Sequence, residues 1–180
     1  NSKHPGIMKN SKSEKVSIQQ RAEILAEHLE QVQWKVRGEA GVNGREPLFS
    51  AELPVNISNC DEDEIQQIIH KLKIKKSPGH DDLPAELWRA AAESPILITW
   101  IKTMCNRILA SKEIPASWKV AKVACLFKKS DPAMPENYRP ISLLAIGYKV
   151  FAALLLHRLR LAGAEQRIIS TQYGFRKGVG

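Results

Sequence analysis

The stretch LFKKSDPAMPENYRPISLL, residues 126–144, decides the fold of this chain. Val120, Val123, Cys125 and Phe127 lead into it as a short β-prone run, which argues for a buried or half-buried strand. Ser130, Asp131, Pro132 and Pro135 then break the chain. Tyr138 and Arg139 resume in extended form, because a residue before proline is pushed away from helical geometry. The reading is a β-hairpin with a polar turn. It carries Lys128 and Lys129 where one strand ends and Arg139 where the other begins. Lysine offers a compact charge, and arginine a planar fork that grips two phosphate oxygens at once. Such a hairpin suits a polyanion.

Helical periodicity surrounds the hairpin. Pro140 suits a first helical turn, and residues 141–161 read as one long helix with Leu144, Tyr148, Phe151, Leu155 and Leu159 on its stripe. The longest apolar stretch, residues 141–156, is interrupted by Ser142, Gly147 and Lys149 and is shorter than the ~20 residues of a membrane span, so a buried helix is expected. Upstream, residues 95–110 set Ile98, Ile101, Met104, Cys105 and Ile108 on one core-facing side. Asp61 and Glu64 fit a capping box for a further helix striped by Ile65, Ile68, Ile69 and Leu72. Lys71, Lys73, Lys75 and Lys76 gather at its end, where the helix dipole favours them. Pro78-Gly79 forces a turn, and Asp81 and Asp82 are placed to cap a helix beginning at Pro84.

Nearer the start, Ile18, Ala22, Leu25, Ala26 and Leu29 recur at helical steps up to about Trp34. Residues 1–15 lack such periodicity and are expected to form a disordered arm. Residues 37–59, with Gly38, Gly41, Gly44, Pro47 and Pro54, read as an irregular connector. A mostly helical chain with one small β-hairpin is an α+β fold.

At 180 residues and 43% hydrophobic content, the chain can build one ordinary domain. Its net charge of +8 bears on partners rather than fold. Residues 1–50 hold eight basic and six acidic side chains, residues 51–110 seven and nine, and residues 111–180 twelve and four. The basic excess therefore lies with the hairpin, and an anionic partner is expected. Cys60, Cys105 and Cys125 show no CxxC pair and no paired histidines, which argues against a disulfide framework or a zinc site. Reduced thiols and an N-terminal stretch without an apolar run point to an intracellular protein, nuclear or cytoplasmic and not secreted. No membrane partner is expected.

Five strings fall in one order: Lys76-Ser77-Pro78-Gly79-His80-Asp81, then Pro115-Ala116-Ser117-Trp118-Lys119, then LFKKSDP, then Asn137-Tyr138-Arg139-Pro140-Ile141-Ser142-Leu143-Leu144, then Gln172-Tyr173-Gly174-Phe175-Arg176. In order and spacing, residues 60–180 resemble the reverse transcriptase of non-LTR, LINE-type retrotransposons. Residues 1–50 resemble, more loosely, the lead-in to that polymerase. The resemblance implies that residues 60–180 are the fingers subdomain of a right-hand polymerase, mostly helical with a small β-hairpin and a truncated palm. Residues 16–59 would be an N-terminal helix and connector before it.

The same resemblance implies roles for residues. Lys128 and Arg139 would contact the triphosphate of the incoming deoxynucleotide. Lys129 stays open beside Lys128, because the pair allows a shift by one and only one of two successive strand residues faces the site. Lys76, Ser77, Pro78, Gly79 and Asp81 correspond to a motif near template RNA, and Gln172, Gly174, Phe175 and Arg176 to the segment approaching the palm. No catalytic residue and no metal ligand is expected within the chain, since the family's aspartates lie in the palm beyond Gly180. Asp81, Asp82 and Asp131 read as caps and turn formers. Mg²⁺ is expected for the complete enzyme, with template RNA, DNA primer and dNTP as partners. The chain alone is expected to bind and not polymerise.

Two other readings compete. One is a non-enzymatic basic RNA- or DNA-binding module, whose affinity would fall steeply with salt. The other is a structural helical protein whose basic face is only solvated surface.

Overall fold

The computed structural model describes residues 8–10, 12–35, 52–168, 172 and 174. Its helices are α1 (Arg21–His28), α2 (Glu62–His70), α3 (Ala85–Ala92), α4 (Pro95–Ser111) and α5 (Ile146–Leu161). Its strands are β1 (Met8–Lys9), β2 (Lys15–Val16), β3 (Lys122–Phe127) and β4 (Tyr138–Leu143). Helices with two small antiparallel sheets make an α+β fold, in agreement with the pattern. The chain divides into two compact units, one drawn from Asn1–Pro47 and Lys122–Leu143, the other from Leu48–Ala121 and Leu144–Gly180. Among the described residues no helix is long and apolar enough to cross a membrane.

The first unit is organised around the expected hairpin. Strands β3 and β4 pair antiparallel, from Lys122 opposite Leu143 to Phe127 opposite Tyr138. Helix α1 continues into a π turn, Leu29–Gln33, and ends at Trp34 as the pattern requires. Its buried residues are Ile24 and Leu29, while Ala22 and Ala26 stay exposed. A large side chain removes more apolar area from water than alanine can, so Ile24 wins the inward position. Ile24, Met8 and Tyr138 form the core, with Val16, Leu25 and Cys125 packed against it.

Of the residues expected to form an arm over 1–15, residues 8–10 and 12–15 are described. Met8 is buried and β1 pairs with β2, while Asn10 Oδ1 accepts from the Lys12 and Glu14 amides at 3.0 and 2.9 Å. One buried methionine among polar residues leaves no periodicity to read. Strand β3 differs from the buried or half-buried strand expected, because Val123, Leu126 and Phe127 remain exposed. Two strands are too narrow to close a face: Val123 and Phe127 flank half-buried Cys125 on the inward side and still stay open, and Leu126 points to the other side.

The second unit packs α2 to α5 around Ile65, Ile69, Cys105, Val150 and Leu154, each sealed from solvent. A fully buried side chain of this size contributes about 1.5–3 kcal/mol. Asp61 accepts from the Glu64 amide at 2.8 Å, which confirms the helix start at α2. Asn106 of α4 clasps both backbone groups of Cys60, accepting from its N–H at 2.7 Å and donating to its carbonyl at 3.0 Å. That fixes the segment entering α2.

Three local expectations are corrected here. Asp81 and Asp82 do not cap α3, whose N-cap is Pro84 without a side-chain bond; Asp81 instead accepts from the Leu83 amide at 3.3 Å. Pro140 lies inside β4 opposite Cys125, a position tolerated in an edge strand, so the helix begins only at Ile146. The buried stripe of α5 is Ile146, Val150, Phe151, Leu154 and Arg158, while Leu155 and Leu159 stay exposed. The run AALLL at 152–156 is apolar on every side, so its phase is decided by packing and not by pattern.

Candidate functional site

Register fixes what the hairpin presents. Leu126 lies opposite Arg139, and Phe127 opposite Tyr138. Tyr138 is in the core with Cys125 packed against it, and its ring meets Phe127 at 5.5 Å, so this face of the pleat turns inward. Alternation sends Leu126 and Arg139 to the opposite, exposed face. Lys128 follows two residues after Leu126, one position past the end of β3, and its N–H donates to the Asn137 carbonyl at 2.8 Å, which carries the pairing on by one residue. It therefore continues the face of Arg139. Lys129 comes one position later, at the bend before Ser130, whose φ is 79°.

The turn between the strands is tied internally. Asp131 Oδ1 accepts from the Ala133 amide at 2.9 Å, and Asn137 Nδ2 donates to the Asp131 carbonyl at 2.8 Å. The hydroxyl of Tyr138 donates to the Pro132 carbonyl at 2.8 Å and accepts from Arg21 Nη2 at 2.7 Å. Arg21 also lies 5.2 Å from the centre of the Tyr138 ring. From the N-terminal side, the Lys9 amide donates to the Ala133 carbonyl at 2.8 Å, and Lys9 Nζ lies 3.8 Å from Asp131. Asp131 thus forms the turn, as its position beside Pro132 predicts.

The charged side chains themselves are open. Lys128, Lys129 and Arg139 are all exposed, and among the described residues none has a side-chain hydrogen bond or ion pair. Cations held on a braced frame without internal acceptors can take an external anion at little conformational cost. Tyr138 and Arg21 supply that brace, and the sequence reading gave neither a role. The signal was modest: an aromatic residue beside a cation at the start of a strand.

The other expected positions fall in the second unit. Lys76 and Ser77 are exposed and Pro78 is half-buried, while Gly79 is buried. A Cβ on Gly79 would stand 2.5 Å from the Ala145 nitrogen and 2.7 Å from the Leu144 carbonyl carbon. Glycine is therefore required by close backbone approach, which docks the loop on the entry to α5. Glu86 accepts from the Lys75 amide at 2.6 Å, and this bond holds its carboxyl below the usual range. Gln172 is exposed, and its Nε2 donates to the Gly174 carbonyl at 3.1 Å. Phe175 and Arg176 lie outside the described residues. Among the described residues no three His, Cys, Asp or Glu side chains converge as a metal-holding group.

No protein-family model matches the chain. It is similar to the probable RNA-directed DNA polymerase from transposon BS of Drosophila melanogaster, at 32% identity over 166 residues, 89% of this chain and 18% of that protein. It is also similar to the probable RNA-directed DNA polymerase from transposon X-element of the same fly, at 30% identity over 87% of this chain and 18% of that protein. The RNA-directed DNA polymerase from mobile element jockey of D. melanogaster matches at 30% identity over 73% of this chain and 14% of its own length. The chain thus spans less than a fifth of the length of these relatives. By this similarity along most of its length, the chain belongs to the reverse transcriptases of non-LTR retrotransposons.

Proposed function

We propose that this chain is the fingers portion of a right-hand RNA-directed DNA polymerase and that its hairpin holds the triphosphate of the incoming deoxynucleotide. The observation that carries the reading is the shared exposed face of Lys128 and Arg139 beside a braced turn. Arg139 would grip two phosphate oxygens and Lys128 would add a point charge. Lys129, one position on, is the lesser candidate. The loop from Lys76 to Asp81 would lie near template RNA, and Gln172, Gly174, Phe175 and Arg176 near template and nucleotide.

Asp81 and Asp131 are committed to local turns, which supports reading them as scaffold rather than as reacting carboxylates. The 180 residues would then bind primer, template and dNTP inside an intracellular enzyme, with Mg²⁺ neutralising phosphate charge from carboxylates supplied elsewhere. Titration of the chain with dNTP tests the central claim. Binding by the parent and loss in Arg139→Ala support it, and equal binding by both overturns it. Sustained synthesis by these residues alone, on primer and template with Mg²⁺, would overturn the assignment of the carboxylates.

A further inference from the structure

The second unit carries a groove along α4 that the hairpin reading does not use. Two openings share Met104 and Arg107 and so run together. The first is a slot of about 610 Å³ lined by Trp88 and Trp100. Thr99 and Thr103 also line it, but their hydroxyls are engaged within the protein: Thr103 Oγ1 donates to the Thr99 carbonyl at 2.8 Å, and Thr99 Oγ1 lies 2.8 Å from both the Pro95 carbonyl and Glu62 Oε1. Rings and methyl groups are left to face the slot. The second opening, about 830 Å³, is lined by Arg107, Lys112 and Lys119, with Glu113 as the one acid among its described lining residues.

Trp100 is 74% exposed, although its indole is the largest apolar group on α4. Arg107 follows seven residues later on the same helix face, about 10 Å along the axis. Among the described residues, the side chains of Arg107, Lys112 and Lys119 have no hydrogen bond or ion pair. A protein-binding face is depleted of charge at its centre, whereas here three cations, Arg107, Lys112 and Lys119, line the groove against one acid, Glu113. An exposed indole followed by a row of cations instead matches a strand with bare bases and regular phosphates, because bases stack on aromatic rings and phosphates seek cations. A duplex keeps its bases stacked inside and offers the indole nothing.

We propose that this groove binds single-stranded nucleic acid, with a base stacked on Trp100 and neighbouring phosphates held by Arg107, Lys112 and Lys119. The site stands whether or not the hairpin holds a nucleotide. Fluorescence anisotropy of a labelled single-stranded RNA oligonucleotide, added to the full chain without dNTP, tests it. Trp100→Ala is expected to weaken binding roughly tenfold or more, with most of it retained in Trp100→Phe. Lys112→Glu and Lys119→Glu, both at exposed positions, are expected to weaken it and to flatten its salt dependence. Unchanged affinity in Trp100→Ala and in the two lysine variants overturns the proposal. So does an equal loss of duplex binding in Trp100→Ala, or displacement of the RNA by polyglutamate at equal charge concentration, which would make the groove a site for acidic peptides. Since dNTP is absent, none of these outcomes bears on Arg139.

Discussion

Arg158 near the end of α5 grips Glu64 in the first turn of α2 across 94 positions of sequence, with Nε 2.9 Å from Oε1 and Nη2 2.7 Å from Oε2. Its Nη1 donates to the carbonyls of Ser58 at 2.7 Å and Asn56 at 3.2 Å. The arginine side chain is only 3% exposed, and its bonds to Glu64 push its pKa up further. One guanidinium therefore joins the segment before α2, α2 itself and α5.

Removing one partner of such a pair strands the other charge away from water. Glu64→Ala is expected to cost about 3–5 kcal/mol. Arg158→Met combined with Glu64→Ala is expected to recover part of that loss, because Ser58 and Asn56 are exposed and their carbonyls can return to water. Urea unfolding of the three proteins measures it. A single variant no less stable than the double would show that the charge is not stranded.

Where side-chain chemistry acts locally, the sequence was readable. Pro140 and the turn at Asp131-Pro132 marked the hairpin, Asp61 marked the start of α2, and spacing marked the buried face of α4. What stayed hidden depends on partners distant in sequence. Arg158 reads as a helix-end cation until Glu64 is placed beside it. The phase of α5 is likewise set by packing, and Met8 is buried only because Ile24 and Tyr138 meet it. At the hairpin, the cations were legible and the brace from Arg21 was not, since it spans 117 positions.

Gly79 gives a second test. Its missing Cβ is what allows the loop to lie against the backbone of Leu144 and Ala145. Backbone cannot swing aside as a side chain can, so Gly79→Ala is expected to cost about 1–3 kcal/mol, the range for overpacking. Hydrogen exchange should rise across residues 76–83 before it rises in α4. Wild-type stability and exchange in this variant would mean that the close approach is absent.

The core thiol predicts an alkaline limit. Burial, with smaller contributions from Cys60 and Glu64, pushes Cys105 up from 9.0 to about 12. A folded pKa above the unfolded one favours the unfolded state once its thiol ionises. The stabilisation is complete below about pH 9 and is lost as pH climbs towards 12. Urea midpoints should fall over that window with a slope of at most about 1.4 kcal/mol per pH unit for this thiol. Cys105→Ala is expected to be less stable at pH 8 but to show a shallower alkaline decline. An unchanged slope would place the titration in another group.

Tyr138 joins α1 to the turn through a single oxygen. Tyr138→Phe removes the donor to Pro132 and the acceptor for Arg21 while leaving the ring against Phe127. The expected loss is about 1–3 kcal/mol, from two bonds of which one involves a charged partner. Melting temperature reads the stability, and exchange of the amides at 131–137 reads whether the turn has loosened. A stable variant with an unprotected turn would separate brace from core.

The hairpin register makes an ordered prediction for the cations. Lys128 shares the face of Leu126 and Arg139, and Lys129 stands one position out of phase, so the two lysines should not be equivalent. Hydrogen bonds to charged groups are worth about 1.5–3 kcal/mol, so Arg139→Ala should weaken dNTP binding by roughly ten- to a hundredfold. Lys128→Ala should lose more affinity than Lys129→Ala. Arg139→Lys should keep the charge yet fail to restore the parent's affinity, since an ammonium cannot span two phosphate oxygens. A larger loss at Lys129 than at Lys128 would overturn the placing of Lys128 on the phosphate-facing side with Arg139, because the fixed register that keeps Cys125 against the core leaves no room for a slip by one residue.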